Sequence, residues 1–135
     1  MTYRYTCILV PISEGYQATV PDLPGVVTFG ATVDEAIDMA QDALSMALLT
    51  MEDEGLAMPK PSPVENHVAQ SQGVIVLLTV DTLRYRMQTD TKAVRKNVSM
   101  PAWMSSLADQ HGINCSQVLQ EALRARFEKN PQTPA

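Results

Sequence analysis

Three side chains in one short stretch have the types and spacing needed to read a nucleobase edge. In VRKNVSMP, residues 94–101, Arg95, Asn97 and Ser99 alternate with Lys96, Val98 and Met100. A period of two belongs to a β-strand, so the first three share one side. On a two-stranded ribbon lying in the major groove of double-stranded DNA, an arginine bridges guanine, an asparagine bridges adenine, and a serine bonds either. Val98 and Met100 turn the other way, toward a core. Lys96 falls on their side, where an apolar residue would be more comfortable; its stem can follow the ribbon while the ammonium meets a phosphate.

The elements around this strand must position it. Pro101 ends the ladder and suits the first turn of a helix. Trp103, Met104, Leu107 and Ala108 then form an apolar stripe at helical spacing, and Gly112 sits where a left-handed cap is expected. Asn114 caps a second helix, whose buried face is Val118, Leu119, Ala122, Leu123 and Phe127. No neighbouring segment can pair the strand, and two short helices are too little to bury a core. A second copy, antiparallel about a twofold axis, satisfies both needs. Its shared core would be Val98, Met100, Trp103, Leu107, Val118, Leu119, Ala122 and Leu123. The amides opening the second helix, at Asn114, Cys115 and Ser116, suit a DNA phosphate. Strand, turn and both helices resemble the ribbon-helix-helix repressors, which implies a homodimer on operator DNA.

Composition separates this stretch from the rest. Residues 1–80 carry two basic side chains, Arg4 and Lys60, against ten acids, whereas residues 81–135 carry eight basic against five acidic. The halves are therefore −8 and +3 within a net charge of −5. A mildly basic module suits phosphates, an acidic one repels them, and the asymmetry is a sign of two modules with different partners. With 135 residues one ordinary domain or two small ones are possible, the 45% hydrophobic content supports a folded protein, and the charge asymmetry favours two modules. Cys7 and Cys115 are far apart, nothing has metal-ligand spacing, and no cofactor is expected. No leader segment and no apolar run of membrane length is visible, so a cytoplasmic, reducing location is expected.

The first module reads strand, strand, strand, helix, strand. Tyr3–Val10 alternates, with Tyr3, Tyr5, Cys7 and Leu9 on one side; Tyr16–Val20 returns after the Ser13-Glu14-Gly15 turn. Pro21-Asp22-Leu23-Pro24-Gly25 is a rigid turn, and Val26–Phe29 is a third strand. Thr32 to Glu35 forms a capping box, and Ala36, Ile37, Ala40, Leu44, Ala47, Leu48 and Met51 give the following helix one apolar face, ended by Gly55. Pro59, Pro61 and Pro63 stiffen a crossover to a last, continuous apolar strand, Gly73–Val80.

The run GYQATVPDLPGVVTFGATVDEAIDMAQDALSMAL, with PDLPG after the second strand and an amphipathic helix rich in small residues behind it, resembles the HicB antitoxin family. The resemblance implies an α+β chain: a βββαβ partial ribonuclease-H-like domain (1–81), a linker (82–91), a ribbon-helix-helix domain (92–130) and a disordered tail (131–135). It also implies an antitoxin of a type II toxin-antitoxin pair, binding and silencing a small basic HicA-like toxin that cleaves RNA, and repressing its own operon. Glu52, Asp53 and Glu54 end the long helix where the macrodipole favours cations, at a cost of roughly a few tenths of a kcal/mol per charge. A basic partner would offset that, and these three are the candidate partner face. The rival is a stand-alone ribbon-helix-helix repressor whose first domain senses a ligand or protein.

Catalysis is not expected. Metal-dependent nucleases gather several carboxylates around two ions; of the candidates Glu14, Asp22, Asp34 and Asp81, the first two fall in turns and Asp34 in a helix's first turn. Asp22 is expected to bond the amides of its own turn, His67 to be a solvated loop residue, and His111 to complement a helix dipole. Arg84, Arg86 and Lys92 are expected in a solvated joint.

Overall fold

The computed structural model describes residues 2–68 and 73–129. The expected tail, 131–135, lies outside them. In chain order the elements are β1 (Thr2–Ile12), β2 (Gly15–Thr19), β3 (Val27–Gly30), α1 (Val33–Asp53), α2 (Glu65–Val68), β4 (Val74–Asp81), α3 (Thr82–Thr89), α4 (Ala102–Gln110) and α5 (Cys115–Lys129). The strands form one antiparallel sheet in the order β3-β2-β1-β4.

Alternation along β1 decides which face meets α1. Tyr5, Cys7 and Leu9 are buried beside Ala18 of β2 and Leu78 and Val80 of β4, and Ala36, Ala40, Leu44 and Leu48 close over them. Each fully buried leucine contributes about 1.5–3 kcal/mol relative to exposure. Small residues at 36 and 40 let the helix approach closely. Gly30 takes this furthest: a Cβ there would stand 2.3 Å from Ala36 N.

Both long-range ends of α1 are fixed by local chemistry. Glu35 N donates to Thr32 Oγ1 at 3.1 Å, while the Glu35 carboxylate reaches past the cap residue and accepts from Ala31 N at 3.2 Å. At the other end Gly55 adopts φ +69°, with Gly55 N bonded to Glu52 O at 3.1 Å and Leu56 N to Met51 O at 2.9 Å. That pair of bonds is the Schellman closure.

Three expectations change here. Asp22 does not bond its own turn; it accepts from Ser62 N at 3.0 Å and from Ser62 Oγ. Backbone bonds close the turn instead, Leu23 N to Val20 O at 3.0 Å and Val26 N to Leu23 O at 2.9 Å. Tyr5 Oη donates to Pro59 O at 2.6 Å, so the proline-rich crossover is pinned at two points. The second change is in the expected linker, 82–91, which opens with helix α3. Asp81 caps it by accepting from Arg84 N at 3.2 Å. His67, expected in a loop, lies in the short α2, half-buried.

Candidate nucleic-acid and partner interfaces

Residues 91–101 form neither helix nor intrachain ladder, and all are exposed. The two helices after them are set by their caps. Pro101 stands at the N-cap of α4, whose far end carries Gly112 at φ +62°, with Gly112 N bonded to Asp109 O at 3.2 Å and Ile113 N to Ala108 O at 2.9 Å. Asn114 Oδ1 accepts from Gln117 N at 3.1 Å, which leaves the opening turn of α5 facing solvent with Cys115 and Ser116 exposed.

Together these elements make an apolar concavity of about 500 Å³. Val98 and Met100 line it with Trp103, Leu107, Val118, Leu119 and Ala122. Arg95, Lys96, Asn97 and Ser99 are not among its lining residues, and all four are exposed. The alternation read from sequence thus separates two aliphatic side chains from three polar ones. Lys96 departs with the polar set. Neither α4 nor α5 contains a buried residue: Trp103 is 63% exposed and Val118 50%. Leu123, expected in the same core, is 39% exposed and lies outside the concavity's lining. From Lys92 onward six basic side chains stand against three acidic ones.

Burial takes one residue, Glu52, out of the expected partner face at the end of α1. Glu52 has a side chain only 1% exposed, and it accepts from Tyr3 Oη at 2.9 Å, Thr82 Oγ1 at 2.7 Å and Arg86 Nη2 at 3.2 Å. The same Arg86 nitrogen stands 2.8 Å from Asp53 Oδ1. Burial disfavours the arginine's charge, but its bonds to Asp53 and Glu52 outweigh this and raise its pKa. The cation that was to come from another protein is supplied by this chain, from a residue expected in a solvated joint. Glu54 remains exposed. Sequence reasoning could have found the pair only by treating 82–89 as a helix first.

The carboxylates considered for catalysis are separated by their structural duties. Asp22 holds Ser62, Asp81 caps α3 and Asp34 lies in the first turn of α1. Among the described residues no group of three or more His, Cys, Asp or Glu side chains is gathered as a metal ion would require. Among them also, no helix is long and apolar enough to cross a membrane. Cys7 is buried, which pushes its thiol up to about 11, and Cys115 is exposed; both are free.

A small sheet backed by one helix, followed by two exposed helices, has known counterparts. The family model described as the HicB-like antitoxin of a bacterial toxin-antitoxin system matches residues 6–122. A protein of the rep-hol intergenic region of Haemophilus phage HP1 is 29% identical over 109 residues, covering 78% of this chain and 79% of that one. Antitoxin HicB of Escherichia coli K12 is 38% identical over 65 residues, covering 47% of each. The chain therefore spans only about half the length of that antitoxin. The crystal structure of antitoxin HicB from Burkholderia pseudomallei aligns at TM-score 0.54 and 26% identity, over 90% of this chain and 96% of that one. A toxin-antitoxin complex from Streptococcus pneumoniae, 21% identical, shares the fold at TM-score 0.55 over 93% of this chain and 99% of its own.

Fold and comparison define the class: a mixed α+β protein of the bacterial antitoxin kind. Since the match runs from residue 6 to residue 122, the chain belongs to the HicB-like antitoxin family.

Proposed function

We propose that the first domain, a partial ribonuclease-H-like fold, binds and silences a small, basic, RNA-cleaving toxin of the HicA type. Residues 91–129 of two chains would form a ribbon-helix-helix unit that represses the operon. The observation that carries the second half is the uncovered concavity shared by Val98, Met100, Trp103 and Leu107. Apolar side chains so exposed on both helices need a cover, and the unpaired backbone of 94–100 needs a strand. A second copy supplies both at once. Arg95, Asn97 and Ser99 then face a major groove, while Lys96 and the open α5 amides at Asn114, Cys115 and Ser116 meet phosphates.

Support for the first half is electrostatic. Asp34, Glu35, Asp38 and Asp42 are exposed along α1 in a module with ten acids and two bases. An RNA-binding protein is basic where it grips phosphate, so this module attracts that surface and covers it without any chemistry of its own. Leu9, Leu44 and Leu48 are fully buried, so the domain is filled rather than hollow.

The test is coexpression with the small open reading frame beside this gene, followed by co-purification and an RNA-cleavage assay. A stable complex in which cleavage is suppressed is expected. Free, active toxin in the presence of excess folded antitoxin would overturn the first half. A chain monomeric at micromolar concentration would overturn the second.

A further inference from the structure

We infer that His111 makes the pairing of residues 91–129 proton-sensitive, so that the two-chain unit holds at neutral pH and comes apart as pH falls through the imidazole range. This regulation rests on the proposed ribbon-helix-helix pairing and adds to it. His111 closes α4, its N–H bonded to Leu107 O at 3.0 Å, and the residue lines the apolar concavity that a second copy would fill. In the single chain it is exposed. A proton can be taken up from water there, and the carbonyl end of α4 favours the cation that results.

Cover reverses that balance. Val98 and Met100 face the concavity from the extended segment, Trp103 and Leu107 from α4, and Val118 and Leu119 from α5. None of its lining residues is a carboxylate or an ammonium, and the one other ionisable group among them is the Cys115 thiol. The charged side chains of the two helices, Asp109, Glu121, Arg124, Arg126, Glu128 and Lys129, all lie outside the lining. Among the described residues no ion pair engages His111. Once a second copy covers the concavity, an imidazolium would lose its water without gaining a counter-ion, whereas a neutral imidazole loses far less. The paired state therefore holds the neutral form and the single chain accepts the proton. Pairing is complete above the ordinary imidazole value of about 6.5 and weakens as pH falls through it. Twofold symmetry places two such histidines in one core, so between about pH 7.5 and pH 5.5 pairing should weaken by roughly a hundredfold. Because Arg95, Asn97 and Ser99 would read a groove only as a pair of strands, acid would release the operator while leaving the first module free to hold its toxin.

The experiment uses the full chain and a reporter already in it. Trp103 is the only tryptophan, lines the concavity and is 63% exposed, so its emission moves to the blue when a second copy covers it. Dilution series followed by this emission should give a midpoint concentration about a hundredfold higher near pH 5.5 than near pH 7.5. His111→Gln should bring the two midpoints within about threefold of each other, since a carboxamide does not titrate in this window. His67→Gln removes the chain's other histidine and should leave the shift in place. His111→Asn repeats the first arm should the glutamine variant misfold, and circular dichroism at both pH values checks that each protein is folded. Equal midpoints in the wild type, or a shift that persists in His111→Gln, overturn the inference while leaving the pairing intact. An emission that stays blue at both pH values at every dilution does the same, as does a shift abolished by His67→Gln. An emission near pH 7.5 that is red and independent of concentration overturns the pairing itself, and the proton switch with it.

Discussion

Arg86 Nη2 lies 3.2 Å from Glu52 Oε1, and through this pair helix α3 is fastened to the C-terminal end of α1. A carboxylate with 1% side-chain exposure needs every bond it has. Arg86→Ala removes its cationic partner but leaves the hydroxyls of Tyr3 and Thr82, so the expected loss is about 1–3 kcal/mol. Glu52→Gln keeps the shape and should cost less than Glu52→Ala. Urea unfolding of the three variants checks the order. Equal stability of Arg86→Ala and wild type would show that α3 is not held by this pair.

Gly30 and Ala36 make the second prediction. The contact a Cβ at position 30 would make with Ala36 N, 2.3 Å, involves backbone and cannot be relieved by a rotamer change. Gly30→Ala should therefore push α1 off the sheet and destabilise by about 1–3 kcal/mol. Gly25→Ala, with nothing within 4 Å of its Cβ, is the control and should be close to neutral.

The strands, α1 and the caps at Thr32, Gly55, Gly112 and Asn114 were legible in the sequence because each rests on periodicity or on residues within one turn. Helix α3 was not. Its sequence, TLRYRMQT, has no clear apolar stripe, and what holds it is Glu52, 34 residues earlier than Arg86. Asp22 failed in the same way: a turn residue favours local amides by default, and only the fold brings Ser62, 40 residues on, within reach. Of the candidate site, the polar and apolar alternation through 95–100 was readable, because a period of two survives in an extended chain without a partner. Glu52 was read as solvent-facing because charge placement on a helix says nothing about what packs over its last turn.

Alkaline pH should expose the core thiol. Burial raises Cys7 from 9.0 to about 11, and burial, with Tyr3 and Asp22 nearby, raises Tyr5 above 10.0. Both groups are neutral when protonated, and the folded state holds those protons more tightly than the unfolded chain. Their contribution to stability is thus complete below pH 9.0 and lost as pH climbs toward about 11. Urea midpoints should fall over that window, and less steeply in Cys7→Ala. A midpoint independent of pH there would mean the thiol is not titrating from a buried position.

Asp22→Ala distinguishes a structural carboxylate from a catalytic one. It frees Ser62 and unpins one of the two points that hold the crossover, the other being Tyr5 Oη on Pro59 O at 2.6 Å. A loss of about 1–2 kcal/mol is expected. RNA incubated with wild type and variant plus magnesium or manganese should remain equally intact. Cleavage by the wild type that disappears in the variant would restore the nuclease reading.

The residues proposed to meet DNA give the last prediction. Arg95 and Asn97 are exposed and lie outside the apolar concavity, so replacing either by alanine should leave the fold and the proposed helical dimer unaltered. Each should weaken binding to the DNA upstream of the operon by about 1–3 kcal/mol and relax preference at the base pair it reads. Lys96→Ala, by contrast, should weaken all sequences alike and reduce the salt dependence by about one counterion, because a phosphate contact carries no sequence information. Toxin neutralisation should survive all three changes, since they lie on the other module. Gel-shift titrations at two salt concentrations, run beside the RNA-cleavage assay, distinguish these outcomes; loss of both activities together would place the two partners on one surface.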